Sequence, residues 1–241
     1  MKDIVKKLRK ELEKLEKLGL PEGCEGFSRH PIMPGTAFFP GGDGVWKGEP
    51  VATVSPLRRE VLVLGSDFGD SDSYEKRVKR RREFPQELDG PTWRNLLSLM
   101  HAAEIRHEQW FCTNAWPCMR KGNRGVGGKP PGARDAAFTN RCVDFFRKTR
   151  EWVQPRLIIP LGLIPTAFLA KAYGTVPSSW GNVSSWRQID EKPIWQTNDC
   201  VIVPVTHPSM PNRRHRRKYN TEEAEASLIR DAWAMTNKGH D

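Results

Sequence analysis

Three polar side chains stand directly after short apolar runs. They are Asp67 in LGSDFGD, Asn114 at the end of QWFCTN, and His207 in CVIVPVTHPS. A carboxylate, an amide and an imidazole together suit one reaction, cleavage of the N-glycosidic bond between a pyrimidine and its sugar. The transition state of that reaction carries positive charge on the sugar and negative charge on the leaving base. Asp67 is the group to position water and stabilise the cationic sugar. A neutral His207 can donate a hydrogen bond to the developing oxyanion of the base. Asn114 offers both a donor and an acceptor and so can read a base edge. An aromatic ring must stack on a base flipped out of the duplex, and Phe84 in REFPQELDGP is the candidate. Asp and Asn are also ordinary turn and cap residues. Their joint placement beside basic segments is what points to chemistry.

The elements that would carry them read as an α/β domain. Four short, nearly continuous apolar runs, at 60–65, 109–114, 156–162 and 200–207, have the pattern of strands buried on both faces of a parallel sheet. Helical periodicity fills the stretches 91–103, 135–153, 163–173 and 220–235, the last with Asn220 as cap and Glu223 three residues on. Strand and helix alternate, as in a layered α/β fold. In open α/β sheets ligands bind beyond the carboxyl ends of the strands, where Asp67, Asn114 and His207 lie. Residues 3–18 form a further helix, with Ile4, Leu8, Leu12 and Leu15 on one face and Gly19 as stop. Residues 19–58 are rich in Gly and Pro and read as an irregular arm. The expected division is therefore 1–58, a helix and arm packed on the core, and 59–241, the α/β domain.

The chain has 241 residues, 39 Lys and Arg, and 29 Asp and Glu, a net charge of +10. A fold does not need that imbalance, and it suggests a polyanionic partner. The clusters KRVKRRR (76–82) and RRHRRK (213–218) flank two of the candidate turns. They are either solvated charge runs or phosphate contacts that fix position without reading sequence. Lys79, Arg80, Arg81, Ser209, Arg213 and Arg214 are the expected DNA contacts, with Met210 or Arg213 as a wedge into the duplex. No apolar stretch approaches a membrane span, and the N-terminus has no apolar leader core, so a cytoplasmic location is expected. The five cysteines, Cys24, Cys112, Cys118, Cys142 and Cys200, lack the paired short spacing of a disulfide framework.

The ordered segments LGSDFGD, FPQELDGPTWRNLL, FCTNAWPCMRKGNR, RLIIPLG and VTHPSMPNRR resemble the uracil-DNA glycosylase superfamily over roughly residues 60 to 235. The resemblance implies a three-layer α/β sandwich with a central, mainly parallel four-stranded sheet flanked by helices. It implies a monofunctional glycosylase, acting as a monomer on DNA that contains a damaged or modified base. Asp67 takes the place of the family's catalytic acid in a glycine-led turn. Gly65, Ser66, Phe68 and Gly69 of that turn would contact the base together with Phe84 and Asn114. His207, Pro208 and Ser209 match the His-Pro-Ser motif, and Met210 to Arg214 match the intercalation loop that follows. A DNA-binding module without turnover is the rival reading, and it would need neither Asp67 nor His207.

The motifs are most similar to the branch that carries an iron–sulfur cluster. Cys118 and Cys142 fit two of its ligands, but upstream only Cys24 is present, with Phe27 where a second cysteine belongs. A four-thiolate cluster lacks a ligand unless a group such as His30 supplies it. The expectation is no cofactor, with the three cysteines as small buried hydrophobes. The uracil-specific branch has a tyrosine two places after the catalytic Asp, and here that place is Gly69. Such an opening suits a base larger than uracil, including the hypermodified cytosine of phage DNA. Trp116 either lines the enlarged pocket or packs in the core.

Overall fold

The computed structural model describes residues 2–33, 36–44, 60–83, 90–123, 125, 127–181, 183–209 and 216–237. Phe84, Met210, Arg213 and Arg214 lie outside the described residues, as does the rest of the segment 210–215. The elements in chain order are α1 (Lys2–Lys17), β1 (Cys24–Glu25), β2 (Val61–Gly65), α2 (Ser71–Glu83), α3 (Gly90–Ala102), β3 (Trp110–Asn114), β4 (Met119–Arg120), α4 (Ala136–Val153), β5 (Leu157–Pro160), α5 (Leu163–Tyr173), α6 (Trp186–Ile189), β6 (Trp195–Gln196), β7 (Val201–Ile202) and α7 (Glu222–Asn237). The fold is α/β, with a mainly parallel central sheet in the order β3-β2-β5-β7-β6, flanked by helices. The sheet has a fifth strand beyond the four expected. Strand β6 is a two-residue antiparallel edge, too short to leave a periodic signal.

Close packing divides the chain into two units, and the division falls inside β2 and β3. One unit comprises Met1–Leu57, Gly65–Glu87 and Phe111–Gln154. Here α1 lays Leu8, Leu12 and Leu15 against α4, which buries Phe138, Cys142, Phe145 and Phe146. These apolar positions recur at helical spacing, so one face of each helix is removed from water. Asp135 caps α4 by accepting from the Phe138 N–H at 2.7 Å. A small antiparallel sheet pairs Cys24 with Arg120 and Glu25 with Met119. The basic cluster after the Asp67 turn is helical, which its charge obscures. Tyr74 and Val78, four residues apart, are buried, while Lys79 and Arg80 are exposed.

The second unit comprises Arg58–Leu64, Leu88–Trp110 and Pro155–Asp241. Strands β2, β5 and β7 run parallel, in the registers Val63↔Ile159 and Ile158↔Ile202. All described β2 and β5 residues are buried, which is why their apolar runs are continuous rather than alternating. Helix α7 packs on β5, β7 and α3, and α5 packs on β5. The predicted strand 200–207 is interrupted. Regular strand covers only Val201–Ile202, but alternate backbone bonds to β5 continue, with Val203 N–H donating to Ile158 O at 3.0 Å and Val205 N–H to Pro160 O at 3.1 Å. The cap of α7 is Thr221 rather than Asn220, its hydroxyl accepting from the Ala224 N–H at 3.2 Å.

Candidate active site

Strand β2 ends at Gly65 because a side chain cannot fit there. A Cβ on Gly65 would sit 2.2 Å from Asn114 Oδ1 and 3.2 Å from Phe38 Cε1. Asn114 ends β3, is 6% exposed, and so lays its amide directly over the Gly65 backbone. The chain after each strand is stitched to the other. Ala115 N–H donates to Gly65 O at 2.9 Å and Trp116 N–H to Ser66 O at 3.0 Å. The Ser66 hydroxyl is buried with no hydrogen-bond partner among the described residues. Gly69 has φ +81°, a conformation that side-chain-bearing residues rarely adopt. Its lack of a side chain therefore answers to the backbone.

Asp67 is not alone in its turn. Arg120 Nε donates to Asp67 Oδ2 at 2.7 Å, and both side chains are below 10% exposed, at 6% for Arg120 and 8% for Asp67. Burial raises the Asp67 carboxyl above its ordinary range, and the Arg120 hydrogen bond and charge oppose that rise. Arg120 is itself fixed through its other nitrogens by the carbonyls of Gly127 and Gly128, the latter at 3.1 Å. Sequence reasoning gave Arg120 no role. Its one signal was its place six residues after Asn114, within FCTNAWPCMRKGNR.

One expected contact, Phe68, turns inward, and Trp116 takes the core role of the two readings left open for it. The Phe68 ring packs edge-on against Phe27 and Tyr74, with centroids 5.1 and 5.6 Å away. Only its backbone remains at the turn, its N–H donating to Cys118 O at 3.5 Å. Trp116 is buried and its indole N–H donates to Thr139 Oγ1 at 3.1 Å, so it packs in the core.

The cysteines bear on a cluster in the same unit. Cys24 and Cys118 contact each other through their thiols, and Cys142 is near enough to raise the Cys118 thiol further. Phe27, at the position of the missing ligand, is committed to its aromatic neighbours. His30 faces Glu25 at 3.0 Å and Glu75 at 3.3 Å. These residues do not fit a four-thiolate cluster. Among the described residues no group of three or more His, Cys, Asp or Glu is arranged to hold a metal ion.

His207 belongs to the second unit. The Ser209 backbone N–H donates to His207 Nδ1 at 3.2 Å, and the Ser209 hydroxyl lies 2.7 Å from the same atom. A backbone N–H can only donate, so Nδ1 is the acceptor and the neutral ring carries its proton on Nε2. Burial pushes the imidazole below its usual value, which keeps it neutral. Ser209, expected at a phosphate, is thereby engaged in orienting His207. Asn95 of α3 donates to Pro208 O at 2.6 Å and pins the next residue.

A buried ion network holds the stem of this segment. Glu225 of α7 accepts from Thr206 N–H and Thr206 Oγ1, each at 2.8 Å. Arg216, 1% exposed, donates to Glu225 at 3.2 Å, to Asp190 at 2.8 Å and to Pro204 O at 2.9 Å. The rings of Trp186 and Tyr219 each lie 4.8 Å from its guanidinium carbon. Arg216 thus leaves the expected phosphate-binding cluster and becomes internal structure.

No helix among the described residues is long and apolar enough to cross a membrane. A search among curated proteins returned no match. The family model of the uracil DNA glycosylase superfamily matches residues 55–232. That span covers most of the chain and includes Asp67, Asn114 and His207. The chain belongs to the uracil-DNA glycosylase superfamily.

Proposed function

We propose that this chain is a monofunctional DNA glycosylase that flips out a pyrimidine and hydrolyses its N-glycosidic bond, leaving an abasic site. The observation that carries the reading is the held pair at the ends of β2 and β3, within the matched span: the Asn114 amide over Gly65 and the Asp67 carboxylate against Arg120. In the proposed step, Asp67 takes a proton from water as its oxygen bonds to the sugar C1′. The electrons of the breaking C–N bond leave with the base. His207 donates its Nε2–H to the base oxygen that gains charge, which its neutral tautomer suits. Asp67 follows the carboxyl end of β2 and His207 follows that of β7, in a sheet whose β2, β5 and β7 run parallel, which supports the reading. Lys79 and Arg80 on α2 would hold phosphates with Arg81, Arg213 and Arg214, and Met210 would enter the duplex.

For the substrate, Gly69 favours a pyrimidine with a bulky C5 group, such as hydroxymethylcytosine or its glucosylated form, and so a role against phage DNA. Uracil is the smaller alternative. The test is a panel of single- and double-stranded DNA carrying uracil or modified cytosine, scored for alkali-labile abasic sites. Asp67→Asn should lower single-turnover rate by about 10²–10⁴-fold. His207→Ala should lower it by about 10²–10³-fold. DNA affinity should persist in both variants. No cleavage of any substrate, with DNA binding intact, would leave a binding module instead.

A further inference from the structure

His207 is bracketed by two helices that pack on each other. Its neighbour Thr206 is fixed by Glu225 of α7, which accepts from the Thr206 N–H and hydroxyl, each at 2.8 Å. Its other neighbour, Pro208, is fixed by Asn95 of α3, whose side-chain nitrogen donates to Pro208 O at 2.6 Å. A carbonyl oxygen can only accept, so the nitrogen of the Asn95 amide is the atom that faces it. Helices α3 and α7 have bonds of their own, from Ser98 Oγ to Glu222 and from Arg230 to Ala102 O. All of these residues belong to one unit.

On a third side stands Gly162, after β5, where an added Cβ would lie 3.5 Å from His207 Cβ. The two clamped neighbours fix where the His207 backbone sits, and Ser209 fixes how the ring faces. The Glu225 clamp is part of the buried Arg216 network and serves the fold as well. Asn95 is different. It is half-buried in the interior of α3, where Asn is a weak helix former, and its bond leaves the helix for the turn that follows His207.

We infer that Asn95 is a positioning residue for the proposed reaction: by holding Pro208 O it sets where the His207 ring stands over the leaving base. The inference rests on the base-excision reading. The imidazole must meet the base oxygen at hydrogen-bond distance, and a misplacement of about 1 Å can cost on the order of 10²-fold in rate. Losing the Asn95 bond frees the turn 207–209 to shift, yet in this reading it removes no group that touches the base. Asn95 then acts only through His207.

The test is a double-mutant cycle in the full chain, read by single-turnover excision of the best substrate in the panel. Asn95→Ala removes the donor, and Asn95→Asp keeps the shape while setting a carboxylate against the carbonyl. Each should lower the rate about tenfold or more, with DNA affinity kept and melting showing an intact fold. Ser98→Ala, a change on the same helix, should leave the rate alone. In a His207→Ala background, Asn95→Ala should cost nothing further, because the group it positions is gone. Losses that multiply would overturn the inference, as would a full rate in both Asn95 variants. Amide hydrogen exchange gives a readout without turnover. The Ser209 N–H, which bonds His207 Nδ1, should exchange on the order of tenfold faster in Asn95→Ala, the scale of one lost hydrogen bond. Unchanged Ser209 exchange would overturn the inference whether or not bases are released. Faster exchange in a protein whose wild type releases no base would instead sink the base-excision reading and leave Asn95 as the clamp on His207.

Discussion

Burial raises the Asp67 carboxyl above the ordinary carboxylate range near ~3.9, and Arg120 pulls in the opposite direction. A carboxylate that must be ionised to activate water loses activity as pH falls through its folded value. The acid limb of the rate profile should therefore lie above the ordinary Asp range. Removing Arg120 removes the opposing influence, so Arg120→Gln should move that limb to higher pH, with Arg120→Lys restoring part of the shift. Single-turnover rates measured across pH check this, and a limb that stays in place in Arg120→Gln would separate Arg120 from Asp67 chemistry. The His207 imidazole is shifted the other way, lowered by burial, which favours its neutral form. Asp67, Asn114 and His207 were legible because each follows an apolar run at once. Arg120 and Asn95 were not, because their importance lies in what they approach through space.

At the scale of elements, the strands were legible wherever burial on both faces made the sequence continuously apolar, as in Val61–Gly65 and Leu157–Pro160. Helix α2 was hidden, since its buried side is little more than Tyr74 and Val78 amid basic residues. The Arg216 network was hidden too, because a buried arginine and a solvated one are the same letter within RRHRRK. That network joins Glu225 of α7, Asp190 at the end of α6, and Thr206 and Arg216 on the two flanks of the segment 207–215. Breaking a buried ion pair from one side leaves uncompensated charge. Arg216→Met, which strands Asp190 and Glu225, should cost about 3–5 kcal/mol in denaturant unfolding. A loss below about 1 kcal/mol, the scale of a surface pair, would mean the network is screened by water.

At the scale of the whole molecule, the +10 charge suits a partner held first by its phosphates, whatever base is read afterward. The span matched by the family model begins at residue 55 and so excludes α1 and the arm with Phe38. A chain trimmed to that span would keep Asp67, Asn114 and His207. It would also uncover the α4 face that Leu8, Leu12 and Leu15 now shield, and release the arm's bonds along β3, from Phe39 N–H to Cys112 O and from Cys112 N–H to Gly44 O. Such a truncated chain should be far less soluble and less heat-stable than the whole, measured by light scattering and melting. If it folded and excised bases at full rate, the arm would be dispensable. What Arg9 ties down through Pro40 and Gly42 is thus a boundary between two definitions of the protein. The stretch by which its ancestry is recognised leaves out α1 and the arm, which pack in the same unit as Asp67 and Asn114.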